Sequence, residues 1–295
     1  MQEPAPGVVL GAYALVRHER SDGDEQHWLG RRSDSATAAV AVRLRRSTPT
    51  GAFGREVELQ PWLQHEHILA PSEQIELGEW TAVVGEYRPG TSLAALAPAL
   101  AELRTRDPAG ALAVAVHVIE SLARALAHAH VQLGAPGFPR GIVHGALMPA
   151  AVWLGRDGSV ALTGFGAAQP EADPSRVLDR DLEPLRYAAP EQLASRTRAP
   201  AIDVYALGAL LHELVEGTPL RGSSTDARAV YQALVAAEIP PVAAAWPPAL
   251  ASLRQALLAK TPLDRPRADA VAATLAGVPH DAGGRALAAL VAPPK

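Results

Sequence analysis

The stretch GIVHGALMPAAVWLGRDGSVALTGFG, residues 141–166, decides the fold of this chain. It begins with an apolar run and His144, and it continues into two short apolar segments joined by Asp157 and Gly158. An Asp-Gly pair between apolar segments is a strong β-hairpin signal. The loop before the hairpin, HGALMPAA, carries almost no polar side chains, although such loops often hold functional residues. The stretch therefore predicts a packed loop and a hairpin, with little in the loop to move a proton or hold a metal.

The chain on either side of this stretch changes from strands to helices. The segments YALVRH, HWLGRR, AAVAVRL and WTAVVGEY have β-type apolar content and turn-forming neighbours, and one helical segment, FGREVELQPWLQHEH, interrupts them. After Thr91, apolar residues recur at helical spacing. The helical segments are LAALAPALAELRTR, ALAVAVHVIESLARALAHAHVQL, IDVYALGALLHELVEG, LASLRQALLAK and ADAVAATLAG. These patterns predict an α+β chain, with EYRPG as the connection between its two regions.

Composition excludes several classes of function. The 295 residues are 48% hydrophobic and carry a formal net charge of -4, which argues against a protein that binds nucleic acid by neutralising phosphates. The absence of cysteine excludes disulfides, thiolate zinc sites and a cysteine nucleophile. We find no apolar stretch that approaches the roughly 20 residues needed to span a bilayer. We expect a cytoplasmic protein with no nucleic-acid partner and no membrane segment within this chain.

Several motifs follow one another in a characteristic order. They are VAVR at 40–43, an acidic helix with Glu56, GEYRPG at 85–90, HGALMPAAVWLGRDGSVALTGFG at 144–166, LRYAAPE at 185–191, DVYALG at 203–208 and PLDRP at 262–266. This order and spacing resembles the eukaryotic-type Ser/Thr protein kinase domain found in bacteria. The resemblance implies a two-lobed, α+β protein kinase-like fold. It has a small β-rich N-lobe with one helix at 1–87, a larger helical C-lobe at 88–279 and a C-terminal tail at 280–295.

The resemblance also identifies the positions at which a kinase carries its chemistry. The catalytic base of the family falls on Ala146, the loop lysine on Met148 and the second magnesium ligand on Ala151. The metal-binding aspartate of D-F-G falls on Gly164, and the strand lysine falls on Arg43. The resemblance therefore implies that these positions are degenerate, with no catalytic residue and no metal ligand.

The family's glycine-rich loop corresponds to RSDGDEQH, residues 20–27. Its three glycine positions hold Arg20, Asp22 and Glu25, and only Gly23 within the loop is a glycine. Carboxylates here would repel the phosphates of a nucleotide, where glycines would offer open backbone amides. The resemblance therefore implies a degenerate cofactor loop.

Two positions bear on the family's adenine pocket. Trp153 replaces a smaller apolar residue that packs under the adenine, and we expect its indole to fill part of the nucleotide cleft. Gly85 corresponds to the gatekeeper before the hinge, and we expect it to leave space behind the pocket.

Other motif positions keep the residues that support the kinase scaffold. By resemblance, His144 and Phe165 belong to an internal apolar spine, Glu191 and Arg265 form a buried ion pair, and Asp203 holds the backbone of the loop at 144–151. The resemblance implies structural roles for Glu56, His144, Phe165, Glu191, Asp203 and Arg265.

From these positions we predict a catalytically inactive pseudokinase that acts as a protein-binding scaffold or allosteric regulator. It would not be an enzyme, its binding of ATP and Mg²⁺ would be absent or weak, and its partner would be another protein, such as an active Ser/Thr kinase or an envelope protein. The alternative is a divergent Ser/Thr kinase or ATP-binding relative with residual phosphoryl transfer. Replacement acids for that alternative would come from Glu56, Asp157, Glu171 or Asp173, although none is predicted to face both metal and substrate.

Overall fold

An antiparallel sheet forms the first part of the computed structural model. The structure describes residues 3–22, 25–35, 38–46, 52–135, 141–165, 182–193, 199–243, 245–278 and 282–292. Within these, the strands of the first sheet are β1 (Val9–Leu10), β2 (Tyr13–Asp22), β3 (Glu25–Arg32), β4 (Ala39–Arg46), β5 (Glu73–Leu77) and β6 (Trp80–Glu86). Their order is β1-β2-β3-β4-β6-β5. Alternate residues such as Val42 and Leu44 in β4 are buried on one face, as the period-two pattern of a half-buried sheet requires.

One helix, α1 (Ala52–Leu59), crosses the back of this sheet. A 3₁₀ turn, Gln60–Trp62, follows it and contains Pro61. Proline has no backbone N–H and cannot extend the hydrogen-bond ladder of the helix, so α1 ends before it. The short helix places Glu56 on the side that faces β4.

The hairpin predicted from the opening stretch is present. β8 (Val152–Gly155) pairs with β9 (Val160–Leu162), and β7 (Gly90–Ser92) pairs with the other edge of β8. Gly158 in the turn has a φ of +83°, and a Cβ there would collide with the backbone of Gly284. Only glycine satisfies both the turn geometry and this close approach.

The rest of the described chain is helical. Its helices are α2 (Leu93–Arg106), α3 (Pro108–His130), α4 (Glu183–Tyr187), α5 (Pro200–Glu216), α6 (Ala227–Ala236), α7 (Pro248–Leu257), α8 (Ala268–Ala276) and α9 (Gly283–Val291). Helix α3 lies at the centre and packs against α2, α5, α8 and α9. Residues 283–291 of the segment predicted as a tail form α9, whose Leu287 is fully buried. The predicted two-lobed α+β fold is confirmed.

The expectation that no apolar stretch has the length of a membrane span is corrected by α3. This helix has 23 residues, and an 18-residue window of it reaches a mean hydropathy of 1.5. Within the fold, 67% of that window is buried. A central core helix and a membrane helix are both surrounded by apolar groups, so both are rich in apolar residues. By length and composition alone, α3 fits either kind of helix.

Candidate functional site

A cleft of about 290 Å³ lies between the N-lobe sheet and the second sheet. Arg20 and His27 line it from β2 and β3, Arg43 from β4 and Trp153 from β8. Gly85 and the hinge residues 86–88 that follow it form another wall. Small-molecule pockets in proteins begin at about 300 Å³. The cleft therefore has the size of a small-ligand site.

Arg43, at the strand-lysine position, lies between two carboxylates. Its guanidinium pairs with the buried Glu56 of α1 and, at 3.4 Å, with Glu25 of β3. Burial disfavours the charge on Arg43, but the carboxylates of Glu56 and Glu25 outweigh that effect and raise the pKa of the guanidinium. Arg43 is therefore charged at every working pH, and two acids of the N-lobe neutralise it.

The pairing continues from Glu25 along the roof of the cleft. His27 Nε2 lies 3.2 Å from Glu25 Oε1, and an Arg20 guanidinium nitrogen lies 3.3 Å from the same ring nitrogen. We call Glu56, Arg43, Glu25, His27 and Arg20 the roof ladder. No sequence pattern indicated the role of His27, because its two contacts depend on the register of β2, β3 and β4. Asp22 pairs by its backbone with Glu25, whereas its side chain and the whole of Gly23 lie outside the described residues.

Trp153 connects the end of the ladder to the floor of the cleft. The Arg20 guanidinium lies over the indole at 5.0 Å from its centroid, and the indole Nε1 donates to the Arg88 carbonyl of the hinge at 3.0 Å. A Cβ on Gly90 would lie 2.9 Å from that Nε1, so glycine makes room for the indole. The aromatic ring therefore forms part of the cleft, with its polar edge held by the hinge backbone.

The space expected behind the gatekeeper is absent. A Cβ on Gly85 would lie 3.3 Å from Pro71 Cα and 3.6 Å from the Ala70 carbonyl oxygen. The expectation was wrong because the backbone at Ala70 and Pro71 packs into the volume that a gatekeeper side chain would take.

The family's base, loop-lysine and second magnesium positions lie in the loop at 144–151. Its other metal-ligand position, Gly164, lies after β9. The Ala146 N–H donates to His144 Nδ1 at 3.3 Å, and Met148 packs partly buried against the core. The Ala151 carbonyl accepts from the Thr163 backbone at 2.9 Å. Gly164 has a φ of +84°, and a Cβ there would meet only His144 Nε2, at 4.0 Å. None of Ala146, Met148, Ala151 and Gly164 offers a side-chain oxygen or nitrogen.

The polar groups under this loop are fully engaged. Asp203, at the start of α5, accepts from the backbone N–H of His144 and of Gly145 at 2.8 and 2.7 Å, and its carboxylate lies 2.9 Å from His130 Nε2. The His144 ring is buried, bonds to the Thr163 carbonyl and packs edge-on against Phe165. Burial lowers the pKa of His144. A neutral, enclosed imidazole in these contacts supports packing.

A second scaffold contact ties LRYAAPE to the last helices. Arg265, whose side chain is 0% exposed, forms a bidentate pair with Glu191 at 2.5 and 2.9 Å. Its remaining donors reach the carbonyls of Ala201 and Ala259. Arg221, which no motif singled out, is also buried and donates to the carbonyls of Leu185, Arg186 and Ala188.

The candidate replacement acids do not form a metal site in the described residues. Glu56 is paired with Arg43, and Asp157 accepts from the Ser159 backbone at 3.0 Å in the hairpin turn. Glu171 and Asp173 lie outside the described residues. Within the described part of the chain, no three His, Asp or Glu side chains are grouped closely enough to hold a metal ion.

Comparison with known proteins decides the family. A family model described as the protein kinase domain matches residues 30–274. This range contains Arg43 and Glu56 of the roof ladder and all of the C-lobe scaffold contacts, whereas Arg20, Glu25 and His27 lie before it. The chain belongs to the protein kinase domain family. In this family a strand lysine and a helix glutamate are paired at the nucleotide site, and the corresponding positions of this chain hold Arg43 and Glu56.

The relatives of this kinase domain are bacterial. The Ser/Thr protein kinase PkaA of Streptomyces coelicolor is 29% identical over 292 residues, covering 96% of this chain and 50% of PkaA. The Ser/Thr protein kinase PknA of Mycobacterium tuberculosis is 29% identical over 299 residues, covering 93% of this chain and 64% of PknA. The chain thus spans half to two thirds of the length of these relatives.

Two predictions are corrected by these relatives. The prediction that the chain is not an enzyme is wrong, because the matched family is the protein kinase domain and the relatives are named Ser/Thr protein kinases. The prediction that ATP and Mg²⁺ are not its cofactors is wrong for the same reason, since such kinases use both. Both errors came from giving the substituted motif positions, in the loop at 144–151, at Gly164 and in the glycine-rich loop, more weight than the match of the whole chain to the family.

Proposed function

We propose that the chain is a divergent Ser/Thr protein kinase domain that binds ATP in the cleft and transfers its phosphoryl group at a residual rate. The observation that carries this proposal is the Arg43–Glu56 pair, closed at the back of the cleft. In protein kinases the equivalent pair, between a strand lysine and the helix glutamate, must be in place for activity, and here Arg43 supplies the cation. The names of the relatives support the same assignment.

The base of the nucleotide fits the inner part of the cleft. The Trp153 indole provides an aromatic face, and aromatic faces stack on bases with about 1–3 kcal/mol each. Ala41, in the roof, has only a methyl group as its side chain. Gly85 of β6 has no side chain, so none projects into the cleft from this position beside the hinge. A planar ring would enter between Ala41 and Trp153, and it would displace Arg20 from the indole.

The outer part of the cleft fits the phosphates and magnesium less well. The family's two magnesium positions fall on Ala151 and Gly164, whose side chains supply no oxygen ligand, so these two positions do not fit the ion. Arg43 is the cation placed to meet a phosphate, and Glu25 already contacts it. No step of the proposed transfer therefore depends on a metal ion held by these side chains.

The rate follows from what the loop lacks. Without a carboxylate at Ala146, the proton of an attacking Ser or Thr hydroxyl passes to solvent instead of to a positioned base. A general base contributes about 10²–10⁴-fold to rate. The transfer rate should therefore lie at least that far below that of a kinase with an aspartate at this position.

The test measures binding and transfer separately. Thermal unfolding is followed with adenosine, ATP, and ATP with Mg²⁺ or Mn²⁺, because a ligand that binds only the native state raises its stability. Transfer of labelled phosphate from ATP to Ser/Thr peptides is followed over hours. We expect a melting shift with ATP and slow, time-dependent labelling of peptide.

An Ala41→Phe variant provides the control. Ala41 lines the cleft, and a phenyl ring there would fill the space of the base without changing any charge. The shift and the labelling should both disappear in this variant. Labelling that persists in Ala41→Phe would come from a contaminating kinase, and no shift with any nucleotide would contradict the proposal.

A second candidate function is regulation of a partner protein by the folded domain. It is favoured by the contrast between the fully bonded scaffold at Asp203 and Arg265 and the uncharged side chains at Ala146 and Gly164. In this role, adding the purified domain to an active bacterial Ser/Thr kinase should change that kinase's rate. An Ala41→Phe domain would show whether the change depends on the cleft.

A further inference from the structure

We infer that Glu25 is a specificity-determining residue of the cleft: its carboxylate occupies Arg43 in the place of a nucleotide phosphate. The cleft therefore favours an unphosphorylated base over a nucleotide until this pair opens. This inference rests on the proposed nucleotide binding and adds to it the group that competes with the phosphates.

The two acids that contact Arg43 are not equivalent. Glu56 is 1% exposed and lies behind Arg43 on α1, so it is the structural partner. Glu25 is 21% exposed, and it reaches Arg43 from β3, at the turn where the family places its glycine-rich loop. Arg43 is 19% exposed and lines the cleft, as does His27, the other contact of Glu25. Glu25 itself is not a lining residue, but it is the more exposed of the two acids on Arg43 and lies between these two lining residues.

Competition follows from the geometry of one guanidinium. One terminal nitrogen of Arg43 contacts Glu56, and the other lies 3.4 Å from Glu25. A phosphate that reaches this second nitrogen must come within a few ångströms of the Glu25 carboxylate. Like charges at that separation in a half-buried site repel strongly. Phosphate and Glu25 therefore exclude one another at Arg43.

The next member of the roof ladder gives the displaced carboxylate a place to go. His27 Nε2 lies 3.2 Å from the same Glu25 oxygen that contacts Arg43. When His27 Nε2 carries a hydrogen it donates to Glu25, so the carboxylate keeps this partner after it leaves Arg43. The contact is thus a reversible block.

The experiment compares adenosine with ATP on wild-type protein and on Glu25→Gln, by calorimetry or by melting shift. The amide keeps the size of the side chain and removes its charge. We expect ATP to bind about tenfold tighter to Glu25→Gln than to wild type, and adenosine to bind equally, since a single lost repulsion in a partly screened site is of this order. Glu25→Thr, which suits a strand, should give the same result and guards against a folding defect.

Glu79→Gln is the matched control. Glu79 also pairs with an arginine of β4, Arg46, at 2.5 Å, but this pair lies on the surface and Arg46, unlike Arg43, does not line the cleft. The same loss of charge there should leave both affinities unchanged. A gain for ATP in this variant would show that the net charge of the lobe, not the Arg43 contact, controls binding.

The remaining outcomes separate this inference from the proposed function. If adenosine binds and the affinity for ATP is the same in wild type and Glu25→Gln, the inference is overturned and the base site stands. An equal increase in affinity for ATP and adenosine overturns it too, because Glu25 would then affect the shape of the base site and not the binding of phosphate. If neither protein binds either compound, the proposed function fails and the inference fails with it.

Discussion

Asp203, under the loop at 144–151, and Arg43, in the roof of the cleft, are both charged and both largely enclosed, but their partners differ. Asp203 holds backbone N–H groups and a histidine inside the C-lobe, where water cannot replace it. Arg43 is paired with two carboxylates, of which Glu56 is buried and Glu25 is partly exposed. Backbone partners belong to the fold, whereas a side-chain partner can be exchanged for a ligand. The scaffold therefore carries stability, and the roof ladder controls access to the cleft.

The largest effect should come from the scaffold. Arg265→Ala leaves Glu191 without its bidentate partner and empties a fully buried site, so the free energy of unfolding should fall by about 4 kcal/mol. Urea denaturation followed by circular dichroism measures it. Arg267→Ala is the control, because that side chain is 75% exposed and its pair with Asp269 should contribute less than about 1 kcal/mol. Similar losses in the two variants would mean that Arg265 is no more important than a surface ion pair.

A carboxylate at the base position should change chemistry and leave the scaffold intact. Ala146→Asp, combined with Gly164→Asp, should raise the rate of phosphoryl transfer by about a hundredfold, the lower end of what a general base contributes. The space near Gly164 admits the side chain, although its φ of +84° costs about 1 kcal/mol for a residue other than glycine. The labelled-ATP peptide assay measures the rate.

The control for this variant is Ala146→Asn with the same Gly164→Asp change. The amide has the size of the carboxylate but accepts a proton poorly, so most of the gain should vanish. An equal rate in both double variants would show that the loop does not position residue 146 near the hydroxyl.

A fall in pH should lower the free energy of unfolding, because it protonates His212, a buried histidine of the helical lobe. Burial, with help from the nearby Arg254 charge, lowers the pKa of His212 to about 4. The unfolded chain binds this proton near pH 6.5, so stability is complete above that pH and falls as the pH drops toward 4. At pH 5 the loss attributable to His212 should be about 2 kcal/mol.

The variant His212→Leu should flatten that decline between pH 7 and 5 in urea titrations, because a leucine cannot be protonated. His18→Gln, which removes an exposed histidine of β2 outside the helical lobe, is the matched control variant. Burial also lowers the pKa of His144, so some acid sensitivity remains in His212→Leu. An unchanged slope in His212→Leu would assign the decline to other groups.

The smallest effect should come from the stacking of Arg20 on Trp153. A cation over an indole at 5.0 Å is expected to contribute about 1 kcal/mol to stability. A double-mutant cycle with Arg20→Ala and Trp153→Leu measures this coupling. Arg17→Ala, on the same strand but 63% exposed, should show no coupling to Trp153. A coupling free energy of zero between Arg20 and Trp153 would show that their contact does not contribute to stability.

Much of the fold could be predicted because its elements have strong local signals. The segment LAALAPALAELRTR coincides with α2, and the Asp157-Gly158 turn lies where β8 and β9 meet. The strands β1 and β5 were missed, since Val9–Leu10 is two residues long and Glu73–Leu77 has little apolar content. Helix α6 was missed as well, although Asp226 directly before it accepts from the Arg228 backbone N–H and caps its start.

The candidate site was predictable position by position but not in its contacts. Arg43 and Glu56 were recognisable from their motifs, and so were the uncharged side chains at Ala146 and Gly164. Nothing in the order of residues showed that Glu25 reaches Arg43 or that Pro71 closes the space behind Gly85. Those contacts depend on strand register and on a backbone passing close by, both of which are set by packing between distant segments.

The sequence by itself determined the two-lobed fold and which chemical groups are present at each kinase position, because local periodicity, turn residues and motif spacing are all properties of neighbours in the chain. Only the tertiary structure decided how the charges of the cleft are paired. An ion pair forms between the groups that folding brings within a few ångströms, and the members of the roof ladder come from α1 and three different strands. The substitutions in the loop at 144–151 could be identified from the sequence. The contact between Glu25 and Arg43 follows only from the pairing of β3 with β4.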